Sequence, residues 1–169
     1  MVTLASESES SLVSRAQQGD RSAYGEMVQR HYIGVVNVVY RMCGDTHLAE
    51  DAIQDAFIQA WLHLPSYRPK TALCSWLYRI AIKSALDFLR REAATTPDDI
   101  EDLALAIPGQ DPETITIEDE RAEQVRRAVM ALPAASRAVL DLREYEGFSY
   151  QQTAEALDIP VGTVMAYLN

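Results

Sequence analysis

The sequence predicts an all-α protein that consists of two small helical domains joined by an acidic linker. Apolar residues recur at helical spacing from residue 12 to residue 91 and again from residue 114 onward. Little of the sequence alternates between polar and apolar residues as a strand does. Residues 93–120 contain nine Asp and Glu, three Pro and no Lys or Arg, a composition typical of a linker.

The domain boundaries follow from these changes in composition. We expect a disordered Ser/Glu-rich tail at residues 1–11, a first domain at 12–92, the linker at 93–120 and a second domain at 121–169. The formal net charge of the chain is −10, and the linker alone contributes −9. Both domains are therefore close to neutral, so the acidic total does not prevent either domain from binding a phosphate backbone.

The first domain is predicted to contain three or four helices. They are expected at about residues 12–30, 31–43, 46–63 and 75–91. Gly44 and Asp45 form a turn, and Asp45 is expected to cap the helix that follows. Pro65 and Pro69 place a loop before the last of these helices.

The second domain has the pattern of a helix-turn-helix. Helices are expected at about residues 114–131, 134–145, 150–157 and from Thr163 onward. Gly147 stands where a helix-terminating glycine belongs. Ser149 and Gln152 have the spacing of a capping box, which opens a helix. A turn through Pro160 then leads into the last helix.

The last predicted helix of the first domain combines basic and aromatic side chains. At about 100° per residue, Arg79, Lys83 and Arg90 fall within about 40° of one another. Trp76 lies within about 60° of Arg79, and Arg91 adds to the charge. Cations neutralise phosphates and aromatic rings stack on unpaired bases, so this pattern indicates a nucleic-acid surface. The alternative is an ordinary amphipathic helix with Trp76 in the core.

The predicted helix at 46–63 has a polar face that contains no cation. Asp51, Gln54 and Asp55 lie on this face, opposite an apolar stripe. Such a face indicates docking to a partner whose matching surface is basic. The alternative is a plain solvated face without a partner.

Residue spacing provides no catalytic or metal site. His31, His47 and His63 are each sixteen residues apart, and Cys43 and Cys74 lack a Cys-x-x-Cys partner. A phosphate-binding glycine loop and a nucleophile elbow are both missing from the sequence. We therefore expect no enzymatic activity, no metal and no cofactor.

The sequence also predicts a cytoplasmic location. No run of residues approaches the roughly 18 apolar residues of a membrane helix. The first residues lack the basic and apolar segments of a secretory signal. Two cysteines without a pairing pattern fit a reducing compartment.

Three stretches of the sequence carry a family resemblance. They are DAIQDAFIQAW at 51–61, SWLYRIAIKSALDFLRR at 75–91 and LPAASRAVLDLREYEGFSYQQTAEALDIPVGTV at 132–164. In this order they resemble bacterial RNA polymerase sigma factors of the extracytoplasmic-function (ECF) group. The resemblance implies a first domain similar to sigma region 2 and a second domain similar to sigma region 4.

The resemblance also implies roles for individual residues and partners. Asp51, Gln54 and Asp55 would dock on core RNA polymerase. The residues implied in binding and melting the promoter −10 element are Trp76, Arg79, Lys83, Arg90 and Arg91. The residues implied in contacting the −35 element are Thr163, Met165, Ala166 and Tyr167. An anti-sigma factor is the implied regulatory partner, with no small-molecule substrate and no direct membrane insertion.

The sequence departs from the family in its last helix. Family members commonly have Lys or Arg, then Ser and Arg, where this chain has Met165, Ala166 and Tyr167 before it ends at Asn169. Lys83 also stands where the family commonly has Asn. We therefore expect an incomplete recognition helix and a weakened −35 contact.

Two alternative functions stay open at this point. A sigma-like mimic would bind an anti-sigma factor without reading DNA, which the missing cations favour and the basic helix opposes. A plain helix-turn-helix regulator would leave residues 46–91 without a role. Polymerase binding and promoter opening distinguish a sigma factor from both.

Overall fold

The structure is a computed structural model that describes residues 7–95 and 117–169 (the side chains of residues 117–119 excepted). Within these stretches all regular structure is helical, which confirms the predicted all-α class. The helices are α1 (Glu9–Gln17), α2 (Arg21–Cys43), α3 (Thr46–His63), α4 (Leu73–Thr95), α5 (Ile117–Met130), α6 (Ala134–Leu140), α7 (Tyr150–Leu157) and α8 (Val161–Leu168). No helix in the described part is long and apolar enough to span a membrane.

The first helix begins earlier than predicted. Ser8 caps α1, and its hydroxyl accepts the amide of Ser11 at 3.3 Å. Residues 9–11, predicted to belong to the disordered tail, are therefore helical, because this cap and the buried Leu12 fix the first turn. The predicted tail residues 1–6 lie outside the described part.

The predicted helix break near residue 30 is wrong. α2 passes through this position without interruption, and the break lies at Gly19 and Asp20. Gly19 has a φ of +93°, a left-handed conformation that glycine adopts without strain. The Asp20 carboxylate caps α2 by accepting the amides of Ser22 and Ala23 at 2.9 and 3.1 Å.

The turn into α3 follows the prediction. Gly44 ends α2 with a φ of +69°. The Asp45 carboxylate caps α3 by accepting the amide of Leu48 at 2.8 Å. Local capping chemistry is therefore sufficient to start α3 at the expected residue.

The four N-terminal helices enclose one core, in which α3 and α4 both bury alanines. Ala52 and Ala56 of α3 and Ala81 and Ala85 of α4 are at most 2% exposed. Such small side chains allow close approach of packed helices. Larger buried side chains fill the remaining space: Leu12, Met27, Val38, Met42, Leu64, Leu77 and Ile82.

The second domain contains the predicted helix-turn-helix. The Ser149 hydroxyl accepts the Gln152 amide at 3.1 Å, and the Gln152 side chain accepts the Ser149 amide at 2.8 Å, which completes the capping box. Gly147 has a φ of +67° and ends the preceding helical turn. α8 begins two residues before the predicted Thr163, because the extended backbone of Pro160 already leads into the helix.

A small apolar core holds α7 and α8 together. Val139, Ala154 and Val164 are buried, and Leu157 and Val161 pack around them. Ala154 occupies the first helix of the motif, where a small side chain lets the second helix approach. Val164 is therefore the buried contact that holds α8 on the rest of the motif.

The two domains are packed against each other. Four residues of the second domain share a buried cluster with the first-domain core: Ala138, Leu142, Phe148 and Ala156. Phe148 meets the ring of Tyr78 edge-on, with 5.2 Å between ring centroids. α7 packs against α4, so the basic helix lies beside the helix-turn-helix.

Both ends of the predicted linker are helical. α4 continues to Thr95 and α5 begins at Ile117, so residues 93–95 and 117–120 are helical. The helical periodicity of the flanking segments therefore extends into both ends of the predicted linker. The rest of the predicted linker, residues 96–116, lies outside the described residues.

Enlarging Ala154 tests the core of the helix-turn-helix. Because Ala154 is only 5% exposed, Ala154→Leu inserts three carbons into a packed site. We expect the free energy of unfolding to fall by about 1–3 kcal/mol in urea denaturation. Ala166→Leu, at an exposed position of α8, is the control and should change stability by less than about 0.5 kcal/mol. Equal stability of the two variants would contradict tight packing at Ala154.

Candidate functional site

Basic side chains of α4 form an open stripe, as their spacing predicted. Arg79, Lys83 and Arg90 are all exposed, and with the exposed Arg91 they make up what we call the cationic stripe. Arg90 forms a 3.4 Å ion pair with Asp87, and its side chain remains 75% exposed. Exposed pairs of this kind contribute little, so a phosphate can replace the carboxylate.

Trp76 is half-buried beside the cationic stripe. Its ring lies against Tyr67, with 4.9 Å between centroids and 50° between ring planes. The Tyr67 hydroxyl donates to the carbonyl of Thr71 at 2.7 Å, which holds the supporting ring. Trp76 is therefore packed on one side and accessible to solvent on another. It belongs neither wholly to the core nor wholly to the surface, the two alternatives that the sequence left open.

The polar residues predicted on α3 differ in their surroundings. Asp51 and Gln54 are exposed. Asp55 is partly buried, and its carboxylate accepts hydrogen bonds from the hydroxyl of Ser84 on α4 and, at 3.4 Å, from Gln59. Asp55 thus helps to join α3 to α4, while Asp51 and Gln54 face solvent.

Two large apolar residues extend this solvent-facing part of α3. Ile58 is 57% exposed and Leu62 is 62% exposed. They follow Asp51 by seven and eleven residues, which places them within about 20° of it around the helix. We call Asp51, Gln54, Ile58 and Leu62 the α3 face. Apolar residues in register with Asp51 are the sequence signal that predicts this extension.

The predicted −35 residues lie on α8 and present an uncharged surface. Met165 and Tyr167 are 46% and 43% exposed, and Ala166 is exposed between them. Thr163 is half-buried, and the neighbouring Val164 is fully buried beneath the helix. α8 contains no Lys or Arg, so it offers contacts without charge.

An ion pair joins the cationic stripe to the helix-turn-helix. The guanidinium of Arg79 lies 2.6 Å from the carboxylate of Asp158, which follows α7. Asp158 has a φ of +56°, a left-handed conformation that ends α7. The two side chains are 49% and 71% exposed, so salt screens this pair strongly.

A second polar cluster lies deeper between the domains. Arg41 of α2 donates to the carboxylate of Asp141 and, at 2.6 Å, to that of Glu146. The Tyr78 hydroxyl of α4 donates to Glu146 at 2.5 Å. Residue spacing contains no sign of this cluster, because its members come from three separate elements.

A π-helical turn at Asp141–Tyr145 explains the direction of the two carboxylates. On an α-helix, residues five apart point about 140° away from each other. Here the amide of Glu146 donates to the carbonyl of Asp141 at 3.1 Å, five residues back. The wider turn brings residues five apart towards one face, so both carboxylates reach Arg41.

Burial controls the charge of Asp141. Its side chain is 5% exposed, and burial raises the pKa of its carboxyl to about 6, while Arg41 acts in the opposite direction. The folded-state pKa thus lies above the ordinary value of 3.8. The folded state therefore favours the protonated carboxyl. The stabilisation that this preference gives is complete below about pH 4 and is lost as the pH rises through about 6.

Comparisons with known proteins agree with both domains. The Sigma-70 region 2 model matches residues 27–95, and the Sigma-70, region 4 model matches residues 122–169. The RNA polymerase sigma-H factor of Pseudomonas aeruginosa is 35% identical, over 95% of this chain and 88% of that protein. The ECF RNA polymerase sigma-E factor of Escherichia coli is 36% identical, over 90% of this chain and 84% of that protein.

Solved structures share the fold. CnrH in complex with the cytosolic domain of CnrY matches with a TM-score of 0.66 at 23% identity, over 93% of this chain and 87% of that chain. The sigma factor RpoE in complex with the anti-sigma factor NepR from Bartonella quintana matches with a TM-score of 0.67 at 21% identity, over 86% of this chain and 89% of that chain. An engineered region 2 of sigmaE in complex with GTAAAA matches with a TM-score of 0.50 at 31% identity, over 54% of this chain and 95% of that chain.

A region 2 domain followed by a region 4 domain defines the class of transcription initiation factors known as sigma factors. The relatives narrow this class. The chain belongs to the ECF family of RNA polymerase sigma factors.

The pKa of Asp141 is a measurable consequence of its burial. We expect its carboxyl carbon to titrate at about pH 6 in a carbon-detected NMR titration of the folded chain. Arg41→Ala removes the cation that lowers this pKa, so the titration should move to higher pH. A titration at the ordinary value near 3.8 would contradict the burial of this carboxyl.

Proposed function

We propose that this protein directs core RNA polymerase to a subset of promoters and opens their −10 region. The open cationic stripe beside an anchored Trp76 carries this proposal. It provides phosphate-binding groups and an aromatic surface on one helix. In this role the protein is a transcription initiation factor without catalytic chemistry of its own, and it acts in the cytoplasm, where polymerase meets the chromosome.

The −10 element is contacted through α4. Arg79, Lys83, Arg90 and Arg91 hold the backbone of the strand that separates from its partner, and Trp76 receives an unpaired base. The related engineered region 2 of sigmaE in complex with GTAAAA supports this assignment. Permanganate reactivity of −10 thymines, with core polymerase present, tests whether this chain opens a promoter.

Core polymerase is contacted through the α3 face. Exposed apolar residues surrounded by polar groups are typical of protein interfaces. Ile58 and Leu62 supply the apolar contact, and Asp51 and Gln54 pair with basic or polar groups of the partner. Asp55 acts mainly by fixing α3 against α4, because its carboxylate accepts the Ser84 hydroxyl.

The −35 element is contacted by α8. Thr163, Met165, Ala166 and Tyr167 meet base edges or sugars through van der Waals contacts and hydroxyl groups. Without a cation on α8, this contact adds little to affinity.

An anti-sigma factor is the proposed inhibitor. Two structural neighbours support this partner, since RpoE is in complex with the anti-sigma factor NepR and CnrH is in complex with the cytosolic domain of CnrY. A sigma-like mimic that binds only such an inhibitor is the second candidate, supported by the uncharged α8. The open stripe on α4 favours the initiation factor, because a mimic has no use for it.

Removing one stripe cation tests the −10 contact. Lys83→Gln should weaken promoter binding by the polymerase complex and reduce the salt-dependence slope by about 0.7 for a single-strand phosphate contact. Arg21→Gln, at an exposed position outside α4, is the charge-matched control and should leave the slope unchanged. The measurement is promoter affinity against salt concentration. Identical slopes for both variants would exclude a phosphate contact at Lys83.

Removing one apolar residue of the α3 face tests polymerase docking. Leu62→Ser should weaken binding to core polymerase by about tenfold or more, as expected for an interface anchor. Stability should change little, because Leu62 is 62% exposed. Val125→Ser, at a 56% exposed residue of α5, is the control. Full core affinity of Leu62→Ser in a titration with labelled protein would contradict the α3 face.

A further inference from the structure

Gly34 lies in the interior of α2, where glycine is unfavourable. A Cβ at this position would lie 2.1 Å from the hydroxyl oxygen of Tyr78 and 3.2 Å from its Cζ. Gly25 of the same helix has no atom within 4 Å of its Cβ position. Gly34 therefore makes room for the Tyr78 hydroxyl, and Gly25 does not have such a role.

The Tyr78 hydroxyl uses this space to reach the second domain. It crosses over α2 and donates to the Glu146 carboxylate at 2.5 Å. Burial and the neighbouring Glu146 raise the pKa of Tyr78, so the hydroxyl keeps its proton and remains a donor. The edge of the same ring contacts Phe148, which adds an apolar contact.

Arg41 provides a second connection between the domains. Its guanidinium donates to both Asp141 and Glu146, and it lies 4.7 Å from the ring centroid of Tyr145. Bonds between charged groups in a half-buried site are stronger than those on the surface. Arg41 and Tyr78 together satisfy the carboxylate of Glu146 from two helices of the first domain.

This interface occupies groups that the proposed function assigns to DNA. While the domains are packed, Arg79 is paired with Asp158 at 2.6 Å, and α7 covers part of the surface beside α4. A promoter strand on the cationic stripe has to displace this carboxylate. Domain packing and DNA binding therefore compete for Arg79.

We propose that contacts of Tyr78 and Arg41 with Glu146, in the space left by Gly34, form an intramolecular latch that holds the free protein closed and lowers its affinity for DNA. The inhibitory part rests on the proposed −10 function of α4. The latch itself is independent of that function, because it requires only that the two domains stay together in solution.

Gly34→Ala and Gly25→Ala form a matched pair that tests the latch. Both replace a glycine of α2 by the same residue, but only Gly34→Ala forces the Tyr78 hydroxyl away. Small-angle scattering of a closed chain of this length should give a radius of gyration of about 16 Å. Gly34→Ala should raise this value by about 4 Å or more, because two domains that are no longer held together occupy a larger volume than the closed chain. Gly25→Ala should keep the closed value.

Tyr78→Phe provides a second variant that avoids a steric clash. It removes the hydroxyl alone and should also open the domains, although less than Gly34→Ala. When both substitutions are combined, the methyl group that Gly34→Ala adds fits the space that the hydroxyl has left, so the two changes should be less than additive. Closed values for both single variants would overturn the latch, provided circular dichroism finds them folded.

The oligonucleotide GTAAAA, bound by the related region 2, is the DNA probe. Gly34→Ala should bind it about tenfold more tightly than the original chain, as expected for loss of a competing charged hydrogen bond. Asp158→Asn releases Arg79 while keeping a residue that tolerates the left-handed conformation, and it should gain about threefold. Gly25→Ala should not change affinity in fluorescence anisotropy.

The outcomes separate the two proposals. An open Gly34→Ala chain with unchanged DNA affinity would overturn the inhibitory role of the latch. Failure of every variant to bind the oligonucleotide, including an open one, would contradict the −10 function and leave the scattering result to decide the latch. Closed scattering values for Gly34→Ala and Tyr78→Phe together would overturn the latch, whatever their DNA affinities.

Discussion

Burial of one side of α4 against α2 and α3 determines where the charged side chains of this protein point. Leu77, Ala81 and Ala85 are at most 2% exposed, and their positions leave the opposite side of the helix to solvent. Because side-chain directions on a helix are fixed by its period, this packing turns three distant cations into one surface. The same contact positions α3, whose Asp55 accepts the Ser84 hydroxyl of α4. Both candidate surfaces of the first domain therefore depend on one helix–helix contact.

Among the described residues, the carboxylates leave most of this surface exposed to solvent. Two carboxylates that pair with the stripe are Asp87, on α4 itself, and Asp158, in the second domain. Both pairs are solvent-exposed and exchangeable, unlike the half-buried pairing of Arg41 with Asp141 and Glu146. Exposed pairs suit groups that must bind another partner, and half-buried pairs suit groups that hold two domains together.

Much of the fold was predictable because it depends on local chemistry. The capping box at Ser149, the cap at Asp45 and the stop at Gly147 involve neighbours within a few residues, and each was found where it was expected. The missed break at Gly19 is also local, because a glycine followed by a capping Asp20 is the same signal as Gly44 followed by Asp45. The α3 face was predicted only in part, because helical spacing places Ile58 and Leu62 in register with Asp51 but does not show that they stay exposed.

The sequence by itself determined the helical class, the caps and the angular alignment of Arg79, Lys83 and Arg90, since each depends on spacing along one helix. Only the tertiary structure decided how the domains meet. Tyr78 and Glu146 are 68 residues apart, and Arg41 and Glu146 are 105 residues apart. Partners at such separations are set by the docking of whole helices and by a π-helical turn, and helical periodicity contains no information about either.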